Sequence, residues 1–125
     1  MGSMNPPAAI LATAVVPWTE SYEFDEDRFC QQVQTIARDL TPNIYVFGTA
    51  GEGYAVTESQ FDQIASVFWR SSQEAKAFPM LGIISLSLPT IIERIERGYA
   101  MGFRDFQLSL PSWGELNDHE LDVFF

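Results

Sequence analysis

Two spacings of apolar residues take turns along this chain. Short apolar runs fall at Ala8–Val16, Ile44–Phe47 and Met80–Leu86, and a mixed one at Arg104–Leu110. Between them, apolar residues recur at helical spacing: Phe29, Val33, Ile36, Ala37 and Leu40; then Phe61, Ile64, Ala65, Phe68 and Trp69; then Ile91, Ile92, Ile95 and Tyr99. The first spacing predicts buried strands. The second predicts amphipathic helices that each bury one stripe.

Local signals place the ends. Pro17 closes the first run, and Asp25, an N-cap type followed by acids, opens the first helix. Thr41-Pro42-Asn43 stops it. Thr57-Glu58-Ser59-Gln60 predicts a capping box, in which threonine caps and glutamine reaches back. Lys76 and Pro79 frame the exit of that helix. The third helix starts at Ser87, with Pro89 in its first turn, and Gly102 ends it. Asn117-Asp118-His119-Glu120 reads as another capped helix start, and the sequence ends at Phe125.

Apolar strands alternating with amphipathic helices predict an α/β fold of parallel βαβ units, buried on both faces. Each unit takes about 30 residues. An open doubly wound sheet and a (β/α)₈ barrel both fit that pattern. Four units are about half of a barrel of about 250 residues. A half-barrel on its own exposes strand edges, so residues 4–125 read as the N-terminal part of a single larger domain. Met1-Gly2-Ser3, before a second Met4, reads as a cloning remnant.

Charge narrows the partners. Seven Lys and Arg against 17 Asp and Glu give a formal charge of −10, which argues against nucleic acid and against an anionic membrane surface. The acids Glu20, Glu23, Asp25, Glu26 and Asp27 read as a solvated loop entering a helix. The run Ala8–Val16 is too short to span a bilayer and has no basic segment before it, so it does not read as a signal peptide. Cys30 is the lone cysteine and forms no internal disulfide. It reads as a small packed residue in a reducing, cytoplasmic compartment. His119 reads as solvated, with nothing near it at metal-ligand spacing, so no metal is expected. No Ser-His-Asp set, phosphate-binding lysine loop or nucleotide fingerprint is present, and no cofactor is expected.

The candidate chemistry lies at Gly48-Thr49-Ala50-Gly51-Glu52, between the second strand and the second helix. Glycines let a backbone approach a ligand closely. Strand ends and helix starts offer free N–H groups to a carboxylate or phosphate. An ordinary tight βα turn is the plain alternative. Tyr54, just after the loop, is a weaker candidate for a site wall.

These motifs resemble the dihydrodipicolinate synthase / N-acetylneuraminate lyase family of pyruvate-dependent class I aldolases. Val16-Pro17-Trp18 is similar to the family's Thr-Pro-Phe. Gly48-Thr49-Ala50-Gly51-Glu52 with Thr57-Glu58 is similar to Gly-Thr-Thr-Gly-Glu and Leu-Thr-x-Glu. Met80-Leu81-Gly82-Ile83 resembles its third strand, and Leu110-Pro111-Ser112-Trp113 the end of its fourth, usually Pro-Tyr-Tyr. The resemblance implies a (β/α)₈ barrel in a homo-oligomer, a dimer or tetramer. It implies a lyase in which a lysine on the sixth strand forms a Schiff base with pyruvate or another 2-keto acid, and a tyrosine on the fifth strand moves protons.

Carried over residue by residue, Thr49 is the relay hydroxyl. Gly48, Thr49 and the backbone N–H of Ala50 hold the substrate carboxylate, and Glu52 braces the loop. Ala50 lacks the hydroxyl of the family's second threonine. That loss costs about 1.5–3 kcal/mol where the partner is charged. Trp113 stands where the second tyrosine enters a neighbouring subunit's site; it fits a substrate contact or a subunit contact, but it has no ionisable hydroxyl. Both departures argue against dihydrodipicolinate synthase itself. Lys76 is the only lysine and reads as a helix C-terminal charge at the wrong end of a barrel. These 125 residues therefore lack the Schiff-base lysine. A non-catalytic binding or structural member of the same fold, or a half-barrel needing a partner, are the alternatives.

Overall fold

The computed structural model describes residues 10–48, 56–85 and 87–108. Four strands and three helices alternate: β1 (Ala12–Ala14), α1 (Glu26–Asp39), β2 (Asn43–Val46), α2 (Glu58–Ala75), β3 (Phe78–Ile83), α3 (Leu88–Met101) and β4 (Phe106–Leu108). The strands form one sheet in the order β1-β2-β3-β4, and every pair is parallel. Right-handed crossovers between consecutive neighbours put successive helices on the same face of a sheet. Helix α2 accordingly packs against both α1 and α3. A doubly wound sheet reverses its strand order and covers both faces. The order seen here is that of the first half of a (β/α)₈ barrel.

The core sits between sheet and helices. Ala14, Ile44, Val46, Leu81 and Ile83 meet Phe29, Val33, Phe61, Ile64, Phe68 and Ile91, all of them buried. Expected caps form. Asp25 accepts from the Arg28 N–H at 3.1 Å. Thr57 accepts from the Gln60 N–H at 3.1 Å, and Gln60 accepts from the Thr57 N–H at 2.9 Å. Cys30 packs against the core and accepts from the Ser71 hydroxyl at 3.0 Å.

Several expectations need correction. The run Ala8–Val16 outlasts its strand, because pairing with β2 ends at Ala14↔Val46. Above it, the side-chain amide of Gln32 stands in for a strand. It accepts from the Val15 N–H and donates to the Val15 carbonyl, each at 2.7 Å. The third strand starts two residues earlier than expected and contains Pro79. Phe78 N–H points to β2, donating to the Pro42 carbonyl, and Leu81 N–H points to β4, donating to the Asp105 carbonyl. The missing N–H of Pro79 thus faces the β4 side, below the level where that pairing begins at Leu81↔Phe106. No ladder bond is lost there.

Leu40 was expected in the α1 stripe. It is instead the C-cap, 58% exposed, because the chain has already left the helix. On α3 the buried line is Ile91, Arg94 and Gly98, not Ile91, Ile92, Ile95 and Tyr99. The helix rests on the sheet at Gly98, where a Cβ would meet Leu81 at 2.7 Å and Phe106 at 3.0 Å. That contact turns Ile92 and Tyr99 to the flank, 46% and 56% exposed. Ile95 stays partly buried against the core. Tyr99 lies under the Arg104 guanidinium, 3.8 Å from ring centre to carbon. Among the described residues no helix is long and apolar enough to cross a membrane.

Candidate functional site

In a parallel barrel the chemistry sits at the C-terminal ends of the strands, and the end of β2 is unusual here. Side chains alternate along a strand. Ile44 and Val46 belong to the core, and Tyr45 does not. Its neighbours in register, Thr13 and Met80, are also outside that core. Thr13, Tyr45 and Met80 thus form a row on the face turned away from the helices, the interior side of the curving sheet.

Phe47 should join that row by alternation. It has a φ of 66°, however, and its ring is fully buried, stacked on Phe61 of α2 at 4.9 Å. A left-handed conformation is an outlier for a bulky aromatic residue. It swings the ring to the helix side and draws the backbone across β3. A Cβ on Gly82 would lie 2.5 Å from the Phe47 carbonyl oxygen and 2.7 Å from that of Val46.

Gly48 follows, buried at the C-terminal end of β2. Among the described glycines, Gly102 is the one with positive φ, so Gly48 is not chosen for its backbone angles. The reason is space. The Tyr45 ring climbs the sheet and covers Gly48: a Cβ there would strike ring atom Cε2 and lie 2.9 Å from the hydroxyl oxygen. Thr49, Ala50, Gly51, Glu52, Tyr54, Ser112, Trp113 and His119 lie outside the described residues.

A clamp holds the start of α2. Val56 is buried, and Glu58 opens α2 beside it. Arg94 of α3 is 4% exposed. Its Nε donates to both Glu58 oxygens at 3.3 and 3.1 Å, and its Nη2 to Oε2 at 2.5 Å. Its Nη1 donates to the Ile84 carbonyl just past β3 at 3.3 Å, and its guanidinium lies 4.7 Å over the Phe61 ring. One side chain therefore ties the start of α2, the exit of β3 and the ring that supports Phe47. Arg97 adds bonds to Asp62 at 2.7 Å and to Glu58 at 2.5 Å.

Hydrogen bonding from Arg94 holds the Glu58 carboxyl below its ordinary pKa; burial opposes this and Arg97 adds to it. Burial works against the charge on Arg97, but its bonds to Asp62 and Glu58 outweigh that and raise its pKa. Both guanidinium groups are thus engaged with carboxylates, and among the described residues it is the Tyr45 phenol that stands beside Gly48. Lys76 is the C-cap of α2, ahead of β3, at the opposite end from this mouth. A groove lined by Trp69, Phe78, Gly102 and Arg104 also lies at that opposite end, which is the stability face of a barrel. Among the described residues no cluster of His, Cys, Asp and Glu has the makings of a metal site.

Many solved structures share this fold. The dihydrodipicolinate synthase from Oceanobacillus iheyensis is 22% identical over 91% of this chain and 38% of its own, with a TM-score of 0.78. The 4-hydroxy-tetrahydrodipicolinate synthase from Methylacidiphilum fumariolicum is 15% identical over 94% of this chain and 39% of its own, with a TM-score of 0.82. The N-acetylneuraminate lyase from Fusobacterium nucleatum is 14% identical over 93% of this chain and 40% of its own, with a TM-score of 0.79. The shared fold is the first half of a (β/α)₈ barrel. This chain spans about 40% of the length of the solved structures it matches. No protein-family model and no curated protein matches the sequence.

Sequence reasoning missed Tyr45, Phe47 and Arg94 as parts of this mouth. A polar-tipped aromatic between Ile44 and Val46 was a usable signal for Tyr45. Arg94 and Arg97, one turn apart, matching Glu58 and Asp62, one turn apart, were a usable signal for the clamp. The sign of φ at Phe47 had no signal.

Proposed function

We propose that residues 4–125 are the N-terminal half of a Schiff-base-forming lyase or aldolase of the dihydrodipicolinate synthase / N-acetylneuraminate lyase type, acting on pyruvate or a related 2-keto acid. The observation that carries this reading is the placement of Gly48, the first residue of the Gly-Thr-Ala-Gly-Glu motif, at the C-terminal end of β2 in a half-barrel whose solved likenesses include such enzymes. In this reading the N–H groups of Gly48, Thr49 and Ala50 hold the keto acid's carboxylate. Thr49 relays a proton, Glu52 braces the loop, and Trp113 faces the second substrate. The reactive lysine comes from strand six and the proton-moving tyrosine from strand five of the full-length protein. The reading includes a cytoplasmic homo-oligomer, a dimer or tetramer, with no metal.

The test is borohydride reduction of the full-length protein in the presence of pyruvate. A stable adduct on one lysine is expected. Failure to trap any of several 2-keto acids overturns the proposal. Intact mass belongs beside it, since a product near 14.1 kDa contains nothing beyond these residues.

Ala50 and Trp113 favour a second reading, a non-catalytic member of the fold, because both lack hydroxyls that the chemistry uses. A complete reading frame without a strand-six lysine and a strand-five tyrosine decides for it.

A further inference from the structure

We infer that Tyr45 is a substrate-binding residue of this mouth, its phenol O–H donating to the carboxylate of the bound 2-keto acid. The inference rests on the function proposed above. It adds a contact that the motif resemblance does not contain.

Three observations on β2 and its surroundings lead to it. Tyr45 is on the interior row with Thr13 and Met80, apart from the helix-side core. Its ring runs up the sheet, so that the hydroxyl stands beside Gly48, at the level where a barrel holds its substrate. Among the described residues that hydroxyl makes no hydrogen bond, although a half-buried tyrosine normally finds a partner for its O–H.

The charge pattern then selects the ligand group. Arg94 and Arg97 are engaged by Glu58 and Asp62, so among the described side chains the donor beside Gly48 is the Tyr45 O–H. A phenol donating to a carboxylate makes a short, charge-assisted bond without the cost of burying a second charge. Ala50 removes a side-chain donor from the same loop. Tyr45 supplies a donor from β2. The turn at Phe47 clears the way, because its ring is on the helix side.

The experiment compares wild-type full-length protein with Tyr45→Phe, which keeps the ring over Gly48 and removes the O–H. The readout is the pyruvate concentration that half-saturates borohydride trapping, with methyl pyruvate, which has no carboxylate, as the second probe. Tyr45→Phe is expected to raise the value for pyruvate about tenfold to a hundredfold. The value for methyl pyruvate is expected to move less than about twofold, with an unchanged thermal midpoint. An unchanged value for pyruvate overturns the role of Tyr45 and leaves the proposed function standing. An equal shift for both probes overturns the carboxylate contact. A wild-type protein that traps no 2-keto acid overturns the proposed function and this inference together.

Discussion

Arg94 and Glu58 meet through three hydrogen bonds, although the arginine side chain is 5% exposed and the glutamate side chain 49%. The asymmetry sets the cost of breaking the pair. Glu58→Ala leaves a guanidinium buried without its carboxylate. A loss of about 2–3 kcal/mol is expected, below the range for a wholly buried pair because water reaches Glu58. Arg97→Ala, at a more open position, is expected to cost about 1 kcal/mol or less. Urea unfolding of the two variants reads the order directly.

The same pair predicts an acid response. A carboxyl whose pKa falls on folding stabilises the fold fully above its unfolded value, and that contribution is lost as the pH drops through the folded value. For Glu58 the loss begins near about pH 4.3 and deepens below it. Thermal midpoints taken from neutral to strongly acidic pH should fall for wild type. Glu58→Gln should start lower at neutral pH and lose less across that window.

Gly48→Ala should be destabilising by about 1–3 kcal/mol, the usual range for overpacking, because its methyl meets the Tyr45 ring. The cost should shrink in Tyr45→Val/Gly48→Ala relative to Tyr45→Val alone. Denaturant midpoints for the four members of that cycle measure the coupling. Equal costs in both backgrounds would mean that the ring does not cover Gly48.

Lys76 is exposed at the α2 C-cap with φ 56°, a conformation that favours glycine. Lys76→Gly is expected to stabilise by about 0.5–1 kcal/mol in chemical unfolding. Borohydride trapping in the full-length protein should be unchanged, since this lysine is at the wrong end of the sheet.

Under the proposed function, Thr49→Val should lower kcat of the full-length protein by about a hundredfold or more if the hydroxyl relays a proton. Ala50→Thr should lower KM for the 2-keto acid with little effect on kcat. Steady-state kinetics on the two variants separates relay from grip.

The order of strands and helices and the caps at Asp25, Thr57 and Ser87 were legible because they are local. A capping box needs only Thr57 and Gln60, four positions of chain. The parallel order β1-β2-β3-β4 was not separable from a doubly wound sheet, since both share one local pattern. The face of α3 was misjudged because Arg94 and Gly98 do not score as apolar, yet a buried paired guanidinium and a bare Cα give the closest contacts. Pro79 reads as part of a helix exit, outside the third strand, until the side to which its missing N–H would point is known. Gly48 was legible as the residue that follows the second strand. That its absent side chain makes room for Tyr45 depends on how the ring climbs the sheet, which no spacing encodes.

The carbonyl of Phe47 occupies the place a Gly82 side chain would take. Two strands that supply neighbouring walls of one mouth are therefore not free to vary separately. A larger residue at 82 requires a different turn before Gly48, and a straightened turn returns an aromatic ring to the interior above Tyr45. Substitutions that reshape this mouth are expected to be tolerated in pairs, and single-site libraries at Phe47 or Gly82 to yield mostly unfolded protein.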